Sequence, residues 1–119
     1  MNIYKKILDG LSRDSWAGGT LGDGKYGRCL AGHVWYARTG TDYPSCSTAE
    51  IDEKCAYDLL VPHDVICEQY PEAVDRWLTL ERRSGGVAYP LTPYGLVAYF
   101  NDKIRYEGVR AVVEKAAAG

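Results

Sequence analysis

Two histidines and four cysteines are the side chains here with the most latent chemistry. Each histidine stands four residues from a cysteine, Cys29 with His33 and His63 with Cys67, a spacing that makes side chains neighbours on a helix. Brought together, the two pairs supply the thiolate and imidazole ligands of a tetrahedral zinc site, Cys29, His33, His63 and Cys67, and zinc is the one cofactor the residues suggest. The competing expectation is plainer: cysteine is among the most buried residue types and often has no other role. No C-x-x-C occurs, which removes the usual zinc-ribbon and thioredoxin-like signatures.

A second chemistry starts from Cys29 alone. It follows Arg28 and falls in the first turn of an expected helix, where the positive dipole end and the cation lower a thiol pKa and make a nucleophile. A cysteine hydrolase also needs an imidazole base and an orienting amide or carboxylate, for which His63 or His33 and Asn101 or Asp102 are the suppliers. Against this, Cys29 lies on an apolar stripe. Enzyme activity is therefore the minority expectation.

Upstream, Gly18, Gly19, Gly22, Gly24 and Gly27 crowd one short segment. Gly22-x-Gly24-x-x-Gly27 matches G-x-G-x-x-G, and Gly19-x-x-x-x-Gly24-Lys25 matches a P-loop until Tyr26 takes the place of the serine or threonine. Both patterns work only after a buried strand, which sets phosphate on a helix N-terminus. A polar helix precedes here instead, so a Gly-rich loop or small hairpin near residues 17–27 is expected.

The elements that must position these residues are helical. Tyr4, Ile7, Leu8 and Leu11 give one apolar stripe over about 2–13; Tyr26, Cys29, Leu30, His33, Val34 and Ala37 give another, which turns Cys29 and His33 inward and stops near Gly40. Ser47 and Glu50 have capping-box spacing ahead of a helix over about 48–60. Pro62 ends that helix or starts a short one bearing His63, Ile66, Cys67 and Tyr70. Pro71 opens the next, with Val74, Trp77 and Leu78 inward, closed by Ser84-Gly85-Gly86. Thr92 caps a helix bearing Leu96, Val97 and Phe100, Asn101-Asp102 breaks or caps, and Val109, Val112, Val113 and Ala116 stripe the last helix. The sum is a mostly α, bundle-like single domain over 1–119 with five to six short helices.

At 119 residues, with 46% apolar and 25% charged side chains, the chain matches ordinary globular usage. A net charge of -2 and a pI near 5.6 argue against general nucleic-acid binding. The longest apolar run, Leu96 to Phe100, is far short of a membrane span, and Lys5 and Lys6 interrupt the only candidate leader, so a cytoplasmic protein with no membrane partner is expected. Ten tyrosines are present. Tyr89, Tyr94, Tyr99 and Tyr106 crowd the C-terminal third, and tyrosine is enriched at protein interfaces, so these four form the expected partner surface.

Trp16, Gly19, Cys29-Leu30-Ala31-Gly32, Asn101-Asp102 and the Val109 to Ala116 helix, taken in order, resemble a family of small uncharacterised proteins of actinobacteria and their phages, mycobacteriophages included. Two positions depart: Tyr99-Phe100 precedes Asn101-Asp102 where that family has tryptophan, and His33 replaces an alanine. The resemblance implies a helical fold and a phage or actinobacterial origin, and it carries no assigned activity. It further implies an accessory protein that binds a host protein, in the host cytoplasm if phage-encoded, or that associates with itself.

Overall fold

In the computed structural model, which describes residues 2–18, 27–42, 49–85 and 89–119, regular structure is helical throughout. The order is α1 (Ile3–Gly10), α2 (Leu30–Thr39), α3 (Ala49–Lys54), α4 (Ala56–Gln69), α5 (Pro71–Ser84) and α6 (Pro93–Ala118). Residues 19–26 of the glycine segment, together with Cys46, Ser47 and Gly86, lie outside the described residues.

Local signals set most of the ends. Asn2 caps α1, its Oδ1 accepting from the Tyr4 N–H at 2.9 Å, while its Nδ2 donates to the Ala117 carbonyl at 3.0 Å at the far end of α6. Thr92 Oγ1 accepts from the Gly95 N–H and opens α6, and Pro71 sits in the first turn of α5. Gly40 and Gly85 stop α2 and α5 in the left-handed conformation, at φ 77° and 73°.

Two expectations are corrected. The helix foreseen over 48–60 is two helices meeting at Cys55 (φ -115°, ψ 21°), and Pro62 neither ends nor begins a helix: α4 runs through it. Proline has no N–H, so the carbonyl four residues earlier, that of Asp58, loses its helical partner. Tyr4 Oη donates to that carbonyl at 2.7 Å. The Asp58 carboxylate is gripped by Arg38, Nε and Nη2 each at 2.7 Å. A defect in α4 thus becomes the point where α1, α2 and α4 are joined.

The second correction concerns Asn101-Asp102, which does not interrupt its helix. The break falls at Arg105, whose backbone leaves the helical region (φ 72°, ψ -166°) within one 26-residue element. A left-handed non-glycine residue costs about 1–3 kcal/mol. Its guanidinium lies 4.9 Å from the Trp16 ring centroid, a cation–π contact worth about 0.5–1 kcal/mol at an exposed site, which offsets part of that cost. α6 packs against each of the other five helices. Leu96, Val97, Phe100, Val109 and Val113 on α6 meet Leu30, Val34, Leu59 and Ile66 in the core. Among the described residues no helix is long and apolar enough to cross a membrane.

Tyr4→Phe should destabilise the fold by about 1–2 kcal/mol in urea unfolding, by leaving the Asp58 carbonyl without a donor. In a Pro62→Ala background that penalty should fall to near zero, because residue 62 then supplies its own N–H. Burial first, then the Asp58 charge, pushes the Tyr4 phenol from 10.0 to about 12. The folded state therefore disfavours the phenolate; this stability is intact below pH 10 and lost as pH rises toward 12. Tyr4→Phe should flatten part of the alkaline loss.

Candidate functional site

The beginning of α2 is held by residues from three distant stretches. Ala17 N–H donates to the Arg28 carbonyl at 3.0 Å, and Arg28 N–H donates to the Ser15 carbonyl at 2.8 Å, clasping residues 15–17 to 27–28. Gly27 has φ 93°, and a Cβ there would stand 2.9 Å from the Trp16 carbonyl oxygen, so only glycine lets the two backbones come this close.

Asn101 reaches this clasp from α6 and is 0% exposed. Its Oδ1 accepts from the Trp16 indole N–H at 2.7 Å and from the Leu30 N–H at 3.0 Å. Its Nδ2 donates to the Ala17 carbonyl at 3.1 Å and to Asp102 Oδ1 at 3.3 Å. Leu30 is the first residue of α2, where the N–H has no acceptor inside the helix. Cys29 Sγ accepts from the Gly32 N–H at the same end. Asn101 therefore caps a helix other than its own, whereas the sequence suggests a local stop or cap.

This arrangement leaves Cys29 unfit as a nucleophile. The thiol is buried, and burial pushes its pKa up to about 11 despite the opposing backbone N–H groups of Gly32 and Ala31. His33 is buried as expected and donates from Nε2 to the Ser15 carbonyl at 3.0 Å. Burial draws its pKa below 6.5, against the pull of that hydrogen bond, and Arg28 adds to the lowering. The Asn101 amide is committed to Trp16, Leu30 and Ala17, so Cys29, His63 and Asn101 form no triad. Nor does the zinc quartet assemble. Cys29 and His33 are interior at α2 while His63 and Cys67 stand on α4, and among the described residues no group of three or more His, Cys, Asp or Glu side chains is placed to hold a metal.

On α4 a different trio comes together. Cys67 Sγ lies 3.9 Å from His63 Nε2, and His63 Nδ1 lies 2.9 Å from Asp64 Oδ1. The order of thiol, imidazole and carboxylate is that of an activated nucleophile. Burial and then the Asp64 charge hold the Cys67 pKa above its ordinary value, so the imidazole does not draw out a thiolate. Mid-helix N–H groups here are committed to carbonyls one turn back and leave no donor for an oxyanion. The pairing of His63 with Cys67 is legible in the sequence. Asp64, one residue along, was missed.

The four tyrosines are largely packing. Tyr99 is 7% exposed and sits edge-on to Tyr89, with centroids 5.5 Å apart. Tyr89 Oη donates to Asp102 Oδ2 at 2.8 Å. Tyr106 lies edge-on to Trp16 beneath the Arg13 guanidinium. Tyr94 is half-buried, its N–H directed to Asp52. Among the described residues, the exposed large apolar side chains are Tyr36 on α2, Leu91 ahead of α6 and a group of three on α4: Tyr57, 86% exposed, with Leu60 and Val61 at 40% each. The three on α4 fall on the side of that helix away from Leu59, Pro62 and Ile66. Following only the inward stripe of that helix passes over them.

Asn101→Ala should cost roughly 3–5 kcal/mol, since it orphans two donors and an acceptor at once. Trp16→Phe, which removes one donor and keeps most of the ring, should cost about 1–2 kcal/mol; chemical denaturation measures both. Iodoacetamide on the native protein should modify Cys67 and reach Cys29 and Cys55 only after unfolding, as read by peptide mass. Known proteins lend this site no role: the chain matches no family model, and no curated protein or solved structure matches it either.

Proposed function

We propose that the protein acts by binding another protein, and that the contact is made by the outer face of α4. The observation that carries this is the solvent-facing stripe Tyr57, Leu60, Val61, Asp64 and Glu68, all of them exposed and spaced three, one, three and four residues apart. That spacing keeps them on one side of the helix. Large apolar side chains grouped on a surface and rimmed by charge are what interaction sites present.

The charge pattern selects the partner. From Cys55 to Asp75 the chain has five carboxylates and no lysine or arginine. A two-fold contact between copies through this face would set Asp64 and Glu68 against their own kind, which disfavours self-association there. The face instead suits a cationic amphipathic segment, with apolar anchors for Tyr57, Leu60 and Val61 and lysine or arginine for the rim. In this reading the chain is an accessory protein whose partner belongs to the cell in which it is made, as its Trp16, Cys29-Leu30-Ala31-Gly32 and Asn101-Asp102 pattern suggests.

A designed helical peptide of leucines and lysines should bind the protein, and its glutamate counterpart should not. Leu60→Asp and Tyr57→Ala should each weaken binding about tenfold or more, close to 1.4 kcal/mol; at Tyr57, which is 86% exposed, the unfolding midpoint should stay unchanged. Raising salt should weaken binding further. Equal affinity of the variants, or of the two peptides, in a fluorescence titration would refute the assignment.

A further inference from the structure

Cys67 is exposed on α4, and the His63 side chain, 24% exposed, lies one turn before it with Nε2 3.9 Å from Sγ. We propose that these two atoms chelate a zinc ion, in an open site whose remaining positions are taken by water.

The spacing of the two atoms fits the ion. In a tetrahedral site, with Zn–S at about 2.3 Å and Zn–N at about 2.0–2.1 Å, a sulfur and a nitrogen ligand stand about 3.6 Å apart. Sγ and Nε2 are within a few tenths of an ångström of that edge, which a small side-chain rotation closes. The four-residue interval is also the one at which paired ligands share a helix face in helical zinc motifs. Thiolate and imidazole together suit zinc, whereas magnesium and calcium take oxygen ligands.

Asp64 prepares the imidazole. Its Oδ1 accepts from His63 Nδ1 at 2.9 Å, which places the proton of the neutral ring on Nδ1 and leaves the Nε2 lone pair toward Cys67. Metal-bound imidazoles are almost always backed in this way, and the carboxylate raises the basicity of the ligating nitrogen. Among the described residues no third His, Cys, Asp or Glu joins the pair as a ligand, so the protein supplies two positions and water the rest. Burial and then the Asp64 charge keep the thiol protonated. Binding therefore forms a Zn–S bond as the S–H bond breaks, and the proton passes to water. With that proton to displace and half the ligands of a closed site, the affinity should lie in the micromolar to submillimolar range.

The test is titration of the reduced protein with cobalt(II) as a spectroscopic substitute, then displacement by zinc, at pH 7.5. Cobalt should give a saturable thiolate-to-metal absorption at one ion per chain. Zinc should abolish it, shift the His63 imidazole resonances and slow alkylation of Cys67 by iodoacetamide. Cys67→Ser, at an exposed position, should remove the absorption, and His63→Gln should weaken binding at least tenfold. Cys46→Ser should leave both unchanged. Absence of a saturable absorption would overturn the proposal, as would its persistence in Cys67→Ser or its loss in Cys46→Ser. An unmoved His63 resonance in the zinc-loaded native protein would remove the imidazole from the site whether or not His63→Gln folds. One ion per two chains would refute an open site completed by water.

Discussion

The amide of Asn101 is the constraint on which the rest of this fold depends. One side chain, wholly removed from water, satisfies an indole N–H, a helix-start N–H and a loop carbonyl that come from residues 16, 30 and 17. Each of those groups would otherwise be a buried or partly buried polar atom without a partner, the condition folded proteins avoid most consistently. Because the amide is planar and offers an acceptor on one side and a donor on the other, it also fixes how α2 enters the core relative to α6. Leucine would fill the space and specify nothing.

Around that point the sequence spends its unusual residues on holding connections together. Gly27 lets the chain pass close to Trp16, Arg105 leaves helical geometry with its guanidinium over the Trp16 ring, and Cys29 finishes the cap of α2 with its sulfur. The result is a rigid seat for the first turn of α2. In the same way α4 contributes Leu59, Pro62 and Ile66 inward and leaves Tyr57, Leu60 and Val61 outside.

Much of the helical architecture was legible in the sequence because it is encoded locally. Apolar stripes at 3.6-residue period, glycines at 40 and 85, Thr92 as a cap and Pro71 at a first turn each act within a few residues, and the helices follow them. What could not be read depends on partners far away in the chain. Pro62 looks like a boundary until Tyr4 is seen to take up the Asp58 carbonyl. Asn101-Asp102 looks like a stop until Asn101 is seen to bond residues 16, 17 and 30. The same distinction explains the candidate sites. Cys29 and His33 were correctly turned inward by periodicity, but whether an inward thiol is activated or muted is decided by how deeply it is buried. Likewise His63 and Cys67 are neighbours by spacing alone, and the distance of that pair from Cys29 and His33 is a matter of tertiary packing.

The Tyr4 contact with Asp58 also bears on the order in which the chain organises. Until the N-terminal helix docks, α4 contains in its first turn a carbonyl with no helical N–H to accept, so that turn is open to water and prone to fray. The link spans 54 residues, a loop whose closure entropy must be overcome before the helix is repaired. Completion of α4 is thereby tied to arrival of the chain's first ten residues. A helix that ordinarily folds on local information has been made dependent on a distant one, so the two should form and melt as a single cooperative unit.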